Sequence, residues 1–382
     1  MLALPLLALA MLQGVQLQET PKKLVAPSVT VAFQDPRTPI DAQHTPGDAN
    51  SVYQITSPGS YYLPGNLTAE EGKSVIEIAS SGVTIDLMGF TIVGVAGAIS
   101  GIREVGTRSG IHIRDGNIIS FGEHAIDLSK ASGVRLERIV ASNNVGHGIV
   151  LGNFAHVSDS LFHDNGGNGI TVQASARISN CHATANSGAG IHSLQYGLVS
   201  RSLAAQNGDG GIRMELGGTV LACEARSNSG DGIEVASSAQ VKDCFSVFNS
   251  QHGISAQTFA RIEGCTASDN GFSGIIAFTR SHLVRNTSNH NGTLTDHAGI
   301  RVTGWYNHVE DNSSFDNHYA GYIIEGQRNF VQRNIASTNA LNWAIFDNNI
   351  ALVINSSMAG VVLGEGGGSS PGSEDPTANY TL

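Results

Sequence analysis

Charge is scarce in this chain. Asp, Glu, Lys and Arg make up 14% of its 382 residues, against about 25% in an average globular protein. Only 21 residues are basic, with no basic run, and the net charge is −11. A nucleic-acid binder concentrates positive charge on one face, so nucleic acid is excluded as a partner. Four cysteines in this length do not make a disulfide scaffold. No uninterrupted apolar stretch reaches 18 residues, so no membrane span is expected. Lysine, the commonest partner of Glu in long helices, occurs five times, which argues against a coiled coil. The shortage of charge does not mean disorder, because 41% of the residues are hydrophobic and can bury a core.

Glycine is abundant, with 46 residues, and it is periodic. A Gly-Ile pair stands at Gly148-Ile149, Gly169-Ile170, Gly190-Ile191, Gly211-Ile212, Gly232-Ile233, Gly253-Ile254 and Gly274-Ile275, each 21 residues after the last. The phase extends upstream to Gly101-Ile102 and Ala125-Ile126, and downstream to Gly299-Ile300, Gly321-Tyr322 and Ala344-Ile345. Other columns share it. Asn144, Asn165, Asn186, Asn207, Asn228, Asn249 and Asn270 each precede a Gly by four residues, and the column resumes at Asn291, Asn317 and Asn339. A second column reads Ser160, Cys181, Ser202, Cys223, Cys244, Cys265, Asn286, Asn312 and Asn334. Small residues (Ala183, Ala204, Ala225) and aliphatic ones (Val157, Ile178, Val199) repeat beside them.

Apolar positions two apart, broken by Asn- and Gly-rich turns, describe short strands and not helices. Helical repeats are longer, and the dense Leu frame of a leucine-rich repeat is absent. The solution is an all-β solenoid, a single-stranded parallel β-helix with one repeat per coil and about 12 coils from residue 102 onward. Like residues then stack on like: Ile in the interior, thiols and hydroxyls in a narrow corner, Asn in an amide ladder. The cysteines are expected as buried free thiols. Glycine is expected where a bend needs positive φ or close approach.

The ends differ. Leu2 to Leu12 is apolar and Ala8-Leu9-Ala10 offers a cleavage site, so residues 1–14 are expected to be a signal peptide and the protein secreted or in the cell envelope. Residues 15–50 hold half of the ten prolines and are expected to be an irregular lead-in. The β-helix is assigned to 51–363, with 52–92 giving its first strands and an N-terminal cap. The Gly- and Ser-rich stretch 364–382 is expected to be a flexible tail.

The N-x-x-x-G-I pattern resembles the right-handed β-helix repeat of secreted bacterial proteins related in fold to pectate lyases and alginate C5-epimerases. The run from Val83 to Ile92, V-T-I-D-L-M-G-F-T-I, resembles the strand pair that opens such solenoids, and Asp375 to Tyr380 resembles their tails. The resemblance implies a right-handed coil and a polysaccharide partner. It does not extend to activity, since the D-P-H-D motif of the epimerases, the W-I-D-H-type signature of the lyases and the paired aspartates of pectin hydrolases are missing.

Function is therefore sought where the sequence departs from its own repeat. Residues following each Gly-Ile point outward, and His192, Arg213 and Glu234 fall there on successive coils. They offer a base and a carboxylate-neutralising cation for a uronate substrate. The step to Gly299 carries a four-residue insertion with Asp296 and His297, and the coils after it hold Arg301, Trp305, His318, Tyr319, Tyr322 and Glu325. Aromatic rings stack on sugars, and departures from a rigid scaffold are where binding residues concentrate. His297, His318 and His192 are the candidate bases, Tyr319 the acid and Arg301 or Arg213 the carboxylate partner. Asp296, Trp305, Tyr322, Glu325, His192, Arg213 and Glu234 are candidate substrate contacts. No metal spacing stands out among the 14 His and no cofactor is expected; a Ca²⁺ site at Asp209, Asp231 and Asp269 has only its acidic residues in its favour. The expected function is engagement of an extracellular polysaccharide, as a lyase or epimerase on uronate-containing glycans. The alternative is a non-catalytic structural or adhesive rod.

Overall fold

The computed structural model describes residues 35–293, 296–351, 354–356, 362–364 and 377–382. The expected signal peptide, the lead-in up to residue 34 and residues 365–376 of the expected tail lie outside them.

From Arg37 onward the chain winds into a parallel β-solenoid, and every regular element among the described residues is a strand. Each full coil lays down three strands. The first carries the Gly-Ile column, and fifteen such strands stack in register into one continuous face. The second carries the aliphatic column, as in His156–Ser158 and Arg177–Ser179, and the third the small-residue column, as in Leu161–His163 and His182–Thr184. Partners lie one coil apart: Ile149 on Ile170, Val157 on Ile178, Phe162 on Ala183. At a strand spacing of about 4.8 Å, fifteen coils make a rod roughly 65–70 Å long.

Fifteen coils exceed the expected twelve, because Ser51–Ile55 and Ser74–Ile78 precede Ile102 on the first face and Val362–Gly364 follows the last Gly-Ile equivalent. The region expected as a cap is thus two further coils. It keeps the alternation of buried Ile76 and Ile78 but has neither Asn ladder nor Gly-Ile pair. The other end of the chain also returns to the rod: Asn379–Thr381 pairs with Ile335–Ala336.

Three corners hold the coil closed. At the corner between third and first strands, each Asn Nδ2 donates to the next Asn Oδ1 from Asn144 through Asn339 at 2.8–3.1 Å, and Asn342 ends the series. Each Oδ1 also accepts a backbone N–H from the coil before, as Asn228 does from Asn207 at 3.0 Å. The residue before each ladder Asn is left-handed, with φ of 54–58° from Asn143 through His290. Only short polar residues adopt this readily, yet Phe248 and Ala185 do so here, so the ladder bonds offset the backbone cost. The Gly-Ile glycines, by contrast, are not in the left-handed region. They serve close packing: a Cβ on Gly169 would sit 2.8 Å from both Asn186 Nδ2 and Gly190 O.

The second column becomes a ladder above the thiols, with Asn286, Asn312, Asn334 and Asn379 bonded in series at 2.9–3.1 Å. A third ladder, Asn307–Asn329–Asn349, closes the remaining corner of the last coils and was not foreseen. The four cysteines are buried and free. Burial pushes the Cys181 thiol up to about 12, which makes it a packing residue and a poor nucleophile.

Candidate functional site

With the interior filled and the corners bonded, chemistry is left to outward side chains. On the first face these form a long strip, and its two ends of interest differ in character.

In the middle of the rod, Arg213 stacks on His192, and Glu234 on Arg213, as expected. Glu215, two residues beyond Arg213 on the same surface, joins them and was missed. His192 Nε2 lies 3.0 Å from Glu215 Oε1, and Arg213 Nε lies 3.0 Å from Glu215 Oε1 and 3.4 Å from Glu234 Oε2. Burial raises the Glu234 carboxyl above its ordinary range, with Arg213 opposing that shift. Asp231, three residues before Glu234, is also raised by burial, and its Oδ1 accepts the His252 backbone N–H at 2.8 Å.

Toward the C-terminal coils the insertion folds His297 back against the rod. Its ring stacks on Phe272, with centroids 4.5 Å apart, and meets His252 edge-on at 5.8 Å. Burial lowers both imidazoles, His252 to about 4, so both are neutral at pH 7. Nδ1 of each is buried and has no hydrogen-bond partner among the described residues. Arg301 stands beside this group but is engaged: it clasps Glu325 with two bonds of 3.0 and 3.2 Å and donates to the Asp296 carbonyl at 2.7 Å. Asp296 and His318 are exposed, and no side-chain contact joins either to the Arg301–Glu325 pair.

Tyr322 requires correction. It occupies the Ile column of the interior, fully buried, with its ring stacked on Trp343 at 4.4 Å and its hydroxyl donating to the Asn312 carbonyl at 2.8 Å. It cannot touch a substrate. The same stack corrects the phase of the last coil: Trp343, not Ile345, pairs with Tyr322, so Ala344 takes the outward position assigned to Phe346. Two large rings thus stand in the Ile column, and Trp343 Nε1 finds a partner in Thr381 Oγ1 at 2.8 Å.

The slip exposes what replaces Tyr322. Phe346 turns out to solvent, 53% exposed, opposite Trp305 at 57%. Between them lies a cleft of about 730 Å³, whose walls include Trp305, Tyr319, Leu341, Phe346, Asp347 and Asn348. Tyr319, Leu341 and Ala344, which line it, belong to a small apolar cluster with Ala298, Ala320 and Ile323. Of the predicted residues, Trp305 and Tyr319 line this cleft, whereas His297, Arg301 and Glu325 do not. Phe346 already stood at an outward position in the repeat but was not singled out, and Asp347 and Asn348 follow it in a turn that no repeat column marks.

The model of the right-handed β-helix region family matches residues 72–197 and 193–291, more than half of the chain. The chain belongs to that family. No curated protein matches it in sequence. Among solved structures, the A-module of mannuronan C-5 epimerase AlgE4 from Azotobacter vinelandii is similar with a TM-score of 0.52 and 15% identity, covering 83% of this chain and 91% of that module. The A-module of AlgE6 from the same organism gives 0.48 at 14% identity, over 83% and 92%. The receptor binding domain of the Siphovirus 9NA tailspike gives 0.45 at 8% identity, over 85% and 72%. At such identities the likeness is one of fold.

Proposed function

We propose that the protein works outside the cytoplasm and engages a polysaccharide along the outer surface of its first face, with the cleft between Trp305 and Phe346 as the main binding site. The cleft carries this reading. It has the volume of a ligand site, rings exposed on opposite walls for stacking on pyranose faces, and Asp347 and Asn348 beside them to bond hydroxyls. A smooth structural rod would need none of these. The structural likeness to a mannuronan C-5 epimerase module fits a glycan partner.

The test is a glycan array and calorimetry on the purified protein with acidic and neutral polysaccharides, beside Trp305→Ala and Phe346→Ala. One glycan class is expected to bind, and each variant to lose at least about tenfold in affinity, the loss of one stacked ring. Both side chains are exposed, so folding is unaffected. Unchanged binding in both variants, or silence of the wild type across the panel, would leave the structural rod as the better account.

A second reading places uronate chemistry in the middle of the rod. It rests on His192, oriented by the Glu215 carboxylate, with Arg213 beside them. Proton abstraction next to a uronate carboxylate needs a base and a cation side by side. Formation of unsaturated uronate, followed by its absorbance on the same panel, would establish a lyase; His192→Ala would then abolish it.

A further inference from the structure

The second face carries a cluster that neither the repeat nor the proposed glycan site uses. His308 and Glu310 are two apart on the strand His308–Glu310, so both side chains leave the same surface. His282, one coil earlier, lies directly beneath His308 in register. The two imidazoles stack nearly parallel, 8° apart with centroids at 4.7 Å. Both present Nε2 to the one carboxylate: His282 at 2.8 Å from Oε1 and His308 at 3.4 Å from Oε2. The three groups offer ligand atoms that all lie within 4.8 Å of one another. Phe330 on the next coil packs edge-on against His308 at 5.0 Å and fixes its ring.

We infer that His282, His308 and Glu310 form a binding site for a divalent transition-metal ion of the Zn²⁺ class. Two imidazoles and a carboxylate suit Zn²⁺, Co²⁺ or Ni²⁺ and are poor ligands for Ca²⁺ or Mg²⁺. Ligands on a metal with bonds of about 2.0–2.1 Å stand roughly 3.3 Å apart in a tetrahedral site. Side-chain rotation alone reaches that from the observed spacing, because both strands are fixed by their ladders. With three protein ligands on an open surface, the ion would keep outer positions for water or for a group from another molecule. It would also tie two adjacent coils together.

The neighbours set a sign for the test. Glu310 Oε2 also accepts from Arg333 Nη2 at 2.7 Å and Gln332 Nε2 at 2.9 Å, and Arg261 Nη1 lies 2.8 Å from His282 Nδ1. An entering cation competes with both guanidinium groups for these partners, so removing Arg333 should strengthen binding where a purely structural ion-pair network would only be weakened.

The experiment is equilibrium dialysis of the EDTA-washed full chain against Zn²⁺, with Co²⁺ absorption as a report on geometry. One ion per chain and a raised thermal midpoint are expected. His282→Ala and His308→Ala should each weaken binding at least tenfold, Glu310→Gln likewise, and Arg333→Gln should tighten it several-fold. The two His substitutions are at outward positions, and circular dichroism identifies any variant that fails to fold. Failure of the wild type to retain an ion, or retention of one ion by the His282→Ala/His308→Ala double variant, overturns the site. Neither outcome bears on glycan binding at the Trp305 cleft, on a different face.

Discussion

His252 condenses what burial does to a single side chain on this surface. Its ring is packed among Phe272 and His297, and desolvation lowers its pKa to about 4, from an ordinary 6.5. In the unfolded chain it takes a proton below about pH 6.5, while in the folded chain it resists until about 4. The unfolded state therefore binds more protons across that window, and stability is complete above pH 6.5 and falls as pH drops toward 4. The loss from this one group is at most about 3 kcal/mol. His297, lowered for the same reason, adds to it in the same direction. Glu310 behaves oppositely: its partners Gln332 and His282 outweigh burial and hold it down to about 2, so its contribution stands above its ordinary range and disappears only as pH falls toward 2. Two successive losses are expected in urea midpoints between pH 7 and 2. In His252→Gln the first should shrink and the second remain. If the variant still lost as much between pH 6.5 and 4, the burial account of His252 would fail.

At the level of the element, the ladders divide asparagines that look alike in sequence into two classes. Asn228 donates from Nδ2 to Asn249 Oδ1 at 2.8 Å and to the Ala204 carbonyl at 3.1 Å, and accepts both the side chain and the backbone N–H of Asn207. Asn228→Ala removes these four bonds and leaves buried partners unpaired on two coils, a cost of roughly 3–5 kcal/mol. Asn180 sits at an exposed corner, donating to Asp159 and accepting from Arg201, both solvent-exposed bonds, and Asn180→Ser should cost under about 1 kcal/mol. Equal shifts in the urea midpoint of the two variants would mean that the ladder contributes little. These ladders also explain which parts of the structure were legible in the sequence. An interior position must match the residue above and below it, so Ile149, Asn228 and Ala183 announce themselves every 21 residues. Coils 51–93 hold the same backbone without the Asn ladder or a Gly-Ile pair, and so read as a cap. Outward positions carry no such constraint. His282 and His308 are 26 residues apart with an insertion between them, and no ligand spacing in the sequence could pair them. The cleft was hidden for the same reason, since Phe346, Asp347 and Asn348 sit at outward and turn positions that no repeat column constrains.

For the whole molecule, nearest-neighbour stacking makes the rod divisible. Each coil contacts the one below and the one above, so stability is close to a sum of coil and interface terms, and an entire repeat can be removed without breaking a column. Deleting Gly211 to Asp231 joins Gly210 to Gly232 and takes out 21 residues. The Gly-Ile pair is re-formed by Gly232-Ile233 following Gly210, Asn207 meets Asn249 in place of Asn228, and Val199 meets Val241 in place of Val220. The shortened chain should fold with the same strand signature and a single unfolding transition, its midpoint only slightly lower. The deletion also separates the two functional readings, because it removes Arg213, Glu215 and Asp231 while leaving the cleft of Trp305 and Phe346 several coils away. If the cleft is the glycan site, the deletion variant binds as the wild type does and Trp305→Ala does not. If chemistry takes place at His192, the same variant keeps binding but loses turnover, since the Arg213 cation and Glu215 are gone and only Glu234 is brought beside His192. Loss of binding in the deletion with retained binding in Trp305→Ala would move the glycan site from the C-terminal coils to the middle of the rod.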